Sequence, residues 1–171
     1  SELEKFNKIV LIGVGSFPAA MKNLNDFGFS NFLLNHIEKG GFVLGICIGM
    51  QLLMSEGNEF MKTPGLNLIN GTVDCMNINN DIKVPHVGWN NFDNSDDINI
   101  FDNINIKSNF YFVHSFSVNI NEENIKNMKF NYSGNDFIGA IQKNNIYGVQ
   151  FHPEKSQING LQILKNFYER C

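Results

Sequence analysis

Two short stretches of this 171-residue chain hold residue types suited to covalent acyl transfer. The first is Gly-Ile-Cys-Ile-Gly, residues 45–49, at the end of an apolar run. A cysteine between two glycines, where a strand gives way to a helix, has the layout of a nucleophile elbow. The turn leaves no room for side chains on its flanks, so Gly45 and Gly49 supply the space and Cys47 is thrust outward. A sulfur at a helix N-terminus is favoured as the thiolate, so a lowered pKa is expected for Cys47. The N–H of Ile48 would point toward an oxyanion formed there. Taken alone, the stretch also suits a small buried cysteine.

The second stretch is Gly-Val-Gln-Phe-His-Pro-Glu-Lys-Ser, residues 148–156. Pro153 holds His152 extended, and residues two apart on an extended segment face one side. Glu154 is therefore expected to bond one imidazole nitrogen of His152 and leave the other for the sulfur. Nucleophile, base and orienter form the minimal apparatus for transfer through a covalent intermediate.

The elements that must position these residues are legible as patterns. Residues 8–14 form a β-branched apolar run ending in glycine, as a strand buried on both faces would. Pro18 opens a helix that stops near Gly28. A second helix follows, capped by Ser30 or Asn31 and ending at Gly40-Gly41. Residues 42–47 read as another strand, and 48–56 as a helix. Alternating apolar strands and helices predict parallel pairing and an α/β three-layer sandwich. After Gly57 the texture changes to strands, including 71–78, 110–118, 128–134 and 136–142, with a hairpin over 140–148. The Asn/Asp/Ile-rich stretch 94–109 reads as a surface excursion. Residues 158–170 carry apolar side chains at the spacing of a closing helix. The expected fold is α/β, a three-layer sandwich with a mostly parallel central sheet plus an antiparallel extension, in one domain spanning 1–171.

Composition removes several classes of function. Net charge is −4 with both signs interspersed, and no basic stripe suggests nucleic acid. The apolar runs are far shorter than the roughly 18 residues of a membrane span. Three cysteines without a Cys-x-x-Cys pair argue against a disulfide framework and against a metal site, and point to a reducing cytoplasm. The 28 asparagines reflect biased composition, with no chemistry attached.

Together the two stretches resemble the paired signatures of the class I, or triad, glutamine amidotransferases. Lys-Val-Pro-His-Val-Gly-Trp-Asn-Asn-Phe (83–92) and Tyr-Phe-Val-His-Ser-Phe (111–116) narrow the likeness to the glutaminase subunits of imidazole glycerol phosphate synthase. The resemblance runs from Lys8 to Tyr168. It implies that Cys47 attacks the side-chain amide of glutamine, that His152 moves the protons and that Glu154 orients it. Ammonia leaves, and water hydrolyses the γ-glutamyl thioester. The resemblance further implies an oxyanion hole at Gly13, Val14 and Ile48, and glutamine contacts at Gln51, Glu59, Ser115 and Phe116. No cofactor and no metal are implied. The implied partner is a (β/α)8-barrel cyclase that receives the ammonia, with Trp89, Tyr111 and Lys155 at the junction. Trp89 also suits an exposed interface anchor on residue type alone. His86 and His114 are expected to have local hydrogen-bonding roles, His36 a structural one, and Cys75 and Cys171 none in catalysis.

The chain departs from the family pattern at Ile12, where proline is usual, and at Val87, where methionine is usual. It also starts without the family's first strand–helix–strand. Two other readings fit the fold: a paralogue feeding ammonia to an amidino-sugar or nucleotide-sugar pathway, and a non-catalytic partner-binding module. An intact Cys47, His152 and Glu154 argues against the second.

Overall fold

A computed structural model describes residues 6–76, 83–94 and 96–171. The elements run β1 (Lys8–Ile12), α1 (Phe17–Asp26), α2 (Phe29–Glu38), β2 (Phe42–Ile46), α3 (Ile48–Leu52), β3 (Met54–Gly57), β4 (Thr63–Pro64) and β5 (Ile69–Cys75). They continue with β6 (His86–Asn90), β7 (Phe110–His114), β8 (Phe116–Ile120), β9 (Lys126–Tyr132), β10 (Asn135–Lys143), β11 (Ile146–Val149) and α4 (Gln157–Arg170). The expected strand over 71–78 is seen as β5 up to Cys75, and its end at 77–78 lies outside the described residues.

The main sheet has the order β1-β2-β11-β10-β9. β2 pairs in parallel with both β1 and β11. The hairpin expected over 140–148 joins β10 to β11 antiparallel, and β9 adds a second antiparallel pair. The parallel triplet thus continues into the expected antiparallel extension. A second sheet, β4-β3-β5-β8, and the β6-β7 pair complete the strands.

Successive side chains of a strand point to opposite faces, so a strand covered on both sides feeds two cores. Val43 and Ile146 join Phe17, Met21, Leu33 and Met50 on the α1–α2–α3 side. Leu44, Tyr147 and Val149 join Ile163 and Phe167 of α4, with a cluster of phenylalanines, on the other. This is the layered arrangement that the alternating sequence implies. Most of β1, in contrast, is only partly covered, and Ile12 is exposed.

Three local expectations are corrected. The helix after Cys47 spans five residues and not nine, because the chain enters β3 at Met54. Met50, Leu52, Leu53 and Met54 are all buried, and a segment covered on every side has no periodicity by which to tell helix from strand. The cap of α2 is Gly28 in the left-handed conformation (φ 72°), with Ser30 already inside the helix. The 94–109 stretch is not a mere surface excursion. Ile98, Ile100 and Phe101 are buried, Asn99–Phe101 forms a 3-10 turn, and Asn166 of α4 donates to the Ile100 and Asp102 carbonyls.

Candidate active site

Cys47 sits between β2 and α3 with φ 52° and ψ −111°, a strained conformation for a residue bearing a Cβ. The surrounding structure imposes it. The Cys47 amide donates to the Val149 carbonyl of β11 (2.8 Å), and its own carbonyl accepts from Met50 (3.1 Å) and Gln51 (3.3 Å). The flanking glycines are required by contact. A Cβ on Gly45 would lie 2.6 Å from the Gly49 carbonyl carbon, and one on Gly49 would lie 1.8 Å from the Leu11 carbonyl oxygen of β1. The elbow is thus wedged against the neighbouring strand.

His152 and Glu154 meet as expected, with Nδ1 2.7 Å from Oε1. The route differs. His152 is extended, but Pro153–Lys155 forms a 3-10 turn, and it is this turn that brings the carboxylate back to the ring. The segment is pinned to β7: the His152 amide donates to the Tyr111 carbonyl (2.9 Å), and Ser156 Oγ accepts from the Tyr111 amide (2.9 Å). Ser156 Oγ also donates to the His152 carbonyl (2.6 Å). His152 is buried and Glu154 is exposed. Val149 pairs with Ile46, so Cys47 and His152 both emerge beyond the carboxyl ends of adjacent parallel strands.

A cavity of about 180 Å³ opens at Cys47. Its walls include Ile48, Gln51, Glu59, Ser115 and Phe116, so four residues implied as glutamine contacts and one oxyanion residue converge there. Gly15, Val113 and His114 complete the lining. Gly13 and Val14 instead line a separate apolar cavity of about 260 Å³ with Ile48 and Leu52. The loop residue at the Cys47 cavity is Gly15, whose φ of +105° belongs to glycine. One Glu59 oxygen accepts from the Phe17 amide at the start of α1 (2.7 Å). That carboxylate therefore holds a helix N-terminus as well as facing the cavity.

The expected lowering of the Cys47 pKa is overturned. Burial pushes the thiol up to about 11, and the Glu154 carboxylate adds to the effect. The Ile48 amide, Gln150 and Lys155 oppose it without prevailing. The reason is visible in α3, since five residues make a weak dipole, whereas the half-buried sulfur is partly withdrawn from water. The sulfur rests 4.0 Å from the Val113 carbonyl and 3.6 Å from Gln150 Nε2. The second contact was missed from sequence. Its signal was a polar residue between Val149 and Phe151 at the end of a buried strand.

The residues implied at the partner junction also cluster. Trp89 faces Tyr111 across the β6–β7 pair, ring centroids 5.7 Å apart, and Lys155 Nζ lies 5.9 Å from the Tyr111 ring centre. His86 and His114 are buried on the opposite side, with His86 Nδ1 3.3 Å from His114 Nε2 and His114 Nδ1 donating to the Phe116 carbonyl (2.8 Å).

Comparison with known proteins places this geometry. Residues 9–171 match the family described as glutamine amidotransferase class-I. Over 170 residues the chain is 45% identical to the imidazole glycerol phosphate synthase subunit HisH of Chlorobaculum tepidum, covering 99% of this chain and 84% of that one. The chain belongs to the class I glutamine amidotransferases, in the group of HisH subunits. A HisH 1 subunit of Campylobacter jejuni is 42% identical, covering 97% of this chain and 82% of that one. The amidotransferase fold is likewise that of solved structures. A glutamine amidotransferase from Thermotoga maritima superposes with a TM-score of 0.64 at 15% identity, over 98% of this chain and 64% of that one. The PurLQS structure from the same organism gives 0.66 at 14%, over 95% and 78%.

Proposed function

We propose that Cys47, His152 and Glu154 are the triad with which this amidotransferase hydrolyses glutamine, and that the ammonia passes to a docked (β/α)8-barrel cyclase. The chain is a glutaminase subunit of imidazole glycerol phosphate synthase in histidine biosynthesis. The observation that carries the residue roles is the cavity at Cys47, walled by Gln51, Glu59, Ser115 and Phe116 beside the hydrogen-bonded His152–Glu154 pair.

At rest the half-buried thiol keeps its proton. Glutamine enters with its amide over the sulfur, Glu59 and Gln51 holding its head and the Ser115–Phe116 backbone lying along it. His152, held through Nδ1 by Glu154, takes the thiol proton on Nε2 as sulfur attacks the amide carbon. The Ile48 amide receives the negative oxygen, joined on docking by an amide of the Gly13–Val14 loop. In the lone chain that loop lines the separate cavity and has to turn toward Cys47. The protonated His152 gives its proton to the departing amide nitrogen, which leaves as ammonia. It then takes one from the water that cleaves the thioester to glutamate, and returns it to the released Cys47 sulfur. The exposed Trp89–Tyr111–Lys155 cluster is the proposed docking face for the cyclase, in the cytoplasm. No described helix is long and apolar enough to cross a membrane.

The test is a steady-state glutaminase assay with and without a barrel cyclase and an acceptor analogue. The lone chain should be slow, and the complex at least about 10²-fold faster, as one recovered oxyanion donor allows. Ammonia supply to a different acceptor, with no activation by the cyclase, would overturn the pathway assignment.

A further inference from the structure

We propose that Gln150 is a further catalytic residue: its side-chain amide donates to the Cys47 sulfur and stabilises the negative charge that develops there, while Gln51 positions that amide. The inference rests on Cys47 being the nucleophile.

Gln150 directly follows β11, and Cys47 directly follows β2. Val149 pairs with Ile46, which sets the two residues side by side. The Gln150 side chain is fully buried (0% exposed), with Nε2 3.6 Å from Sγ. Its Oε1 accepts from Gln51 Nε2 at 3.1 Å. Gln51 Nε2 also donates to the Phe116 carbonyl at 3.1 Å, and His114 Nδ1 is 2.8 Å from the same oxygen.

This chain has only one polarity. A backbone carbonyl can only accept, so Gln51 must turn its NH₂ toward Phe116. The other hydrogen of that NH₂ then needs an acceptor, which fixes Oε1 of Gln150 toward Gln51 and Nε2 toward the sulfur. A flipped Gln150 would set two NH₂ groups face to face and two acceptors against one another. The donor aimed at the sulfur is therefore imposed by a carbonyl that cannot rotate.

When the thiol proton moves to His152, the sulfur becomes a stronger acceptor, and a neutral contact becomes a charge-assisted one. Gln150 gives up no proton. Its bond strengthens as charge develops, which is the differential that accelerates a reaction. The Cys47 thiol is pushed up by burial and by Glu154, and Gln150 acts with Ile48 and Lys155 to hold it down.

The experiment is alkylation of the full chain by iodoacetamide across pH, with peptide mapping to read Cys47 apart from Cys75 and Cys171. In Gln150→Leu the Cys47 profile should move to higher pH, slowing alkylation at pH 8 by about tenfold or more, as loss of a bond to a charged group predicts. In the cyclase complex kcat should fall similarly, with little change in KM for glutamine. Gln150→Asn, whose amide is one methylene short of the sulfur, should shift the profile the same way. It decides the matter if the leucine variant does not fold. A folded variant with a wild-type Cys47 profile overturns the proposal. Because alkylation reads the sulfur without glutamine, a chain lacking glutaminase activity but keeping this dependence would overturn the assigned function and leave the contact standing.

Discussion

Trp89 and Tyr111 are cross-strand partners on the open side of a two-stranded sheet whose other side is sealed by His86, Phe112 and His114. Trp89 is 48% exposed, so it contributes little to the fold of the lone chain. Its Tyr111 neighbour adjoins Val113, whose carbonyl meets the Cys47 sulfur. Trp89→Ala should leave the melting temperature of the isolated chain nearly unchanged and weaken cyclase binding by about 2 kcal/mol or more, as for a central aromatic anchor. Calorimetric titration checks it. Unaltered affinity would place the docking face elsewhere.

Removing the nucleophile should separate two activities. Cys47→Ala should abolish glutamine-dependent synthesis by the complex and spare synthesis from added ammonium salts. Glu154→Gln keeps a hydrogen-bond partner near His152 and removes only the charge, so its loss of glutaminase should be smaller. Equal losses would give Glu154 a larger role.

A glutamine-shaped diazo-ketone should label Cys47 and spare Cys75 and Cys171, because only Cys47 lines the cavity. Since its thiol is pushed up to about 11, a simple alkylator should react with Cys47 faster as pH rises toward that value. A profile levelling off near neutral pH would show that the thiolate is already formed at rest.

The histidine pair predicts an acid-side loss of stability. Burial pushes both His86 and His114 down to about 4 from an ordinary 6.5. The folded state thus disfavours the proton, and this contribution to stability is present above 6.5 and lost as pH falls from 6.5 toward 4. His86→Phe retains stacking on Phe112, Phe130 and Tyr132, so its melting temperature should fall less steeply over that window. Parallel slopes would assign the acid sensitivity to other groups.

Gly49→Ala places a methyl carbon 1.8 Å from the Leu11 carbonyl oxygen, a backbone atom that cannot move alone. We expect destabilisation of about 3 kcal/mol or more, read by denaturant unfolding. A stable alanine variant would mean that the elbow and β1 separate readily.

The elbow was legible because its demand is local, two glycines around a cysteine after an apolar run. The His152–Glu154 pair was legible by identity, but its geometry was not, because the proline-led 3-10 turn competes with the extended reading. The state of the thiol was hidden for a different reason. Its burial involves Val113, 66 residues away, and Gln150, 103 away, and no local pattern encodes those contacts. The second role of Glu59, holding the first turn of α1, was hidden in the same way. Cavity-lining Gln51, Ser115 and Phe116 were placed by family resemblance. Taken alone, each is an ordinary helix or strand residue.

The positive φ of Cys47 has a consequence for what selection must hold in place. Such a conformation costs on the order of 1–3 kcal/mol in a residue with a Cβ, and glycine adopts it freely. Cys47→Gly would therefore relieve the strain and, despite the lost sulfur packing, yield a protein at least as durable as the parent and catalytically dead. Toward robustness alone the downhill path leads away from function.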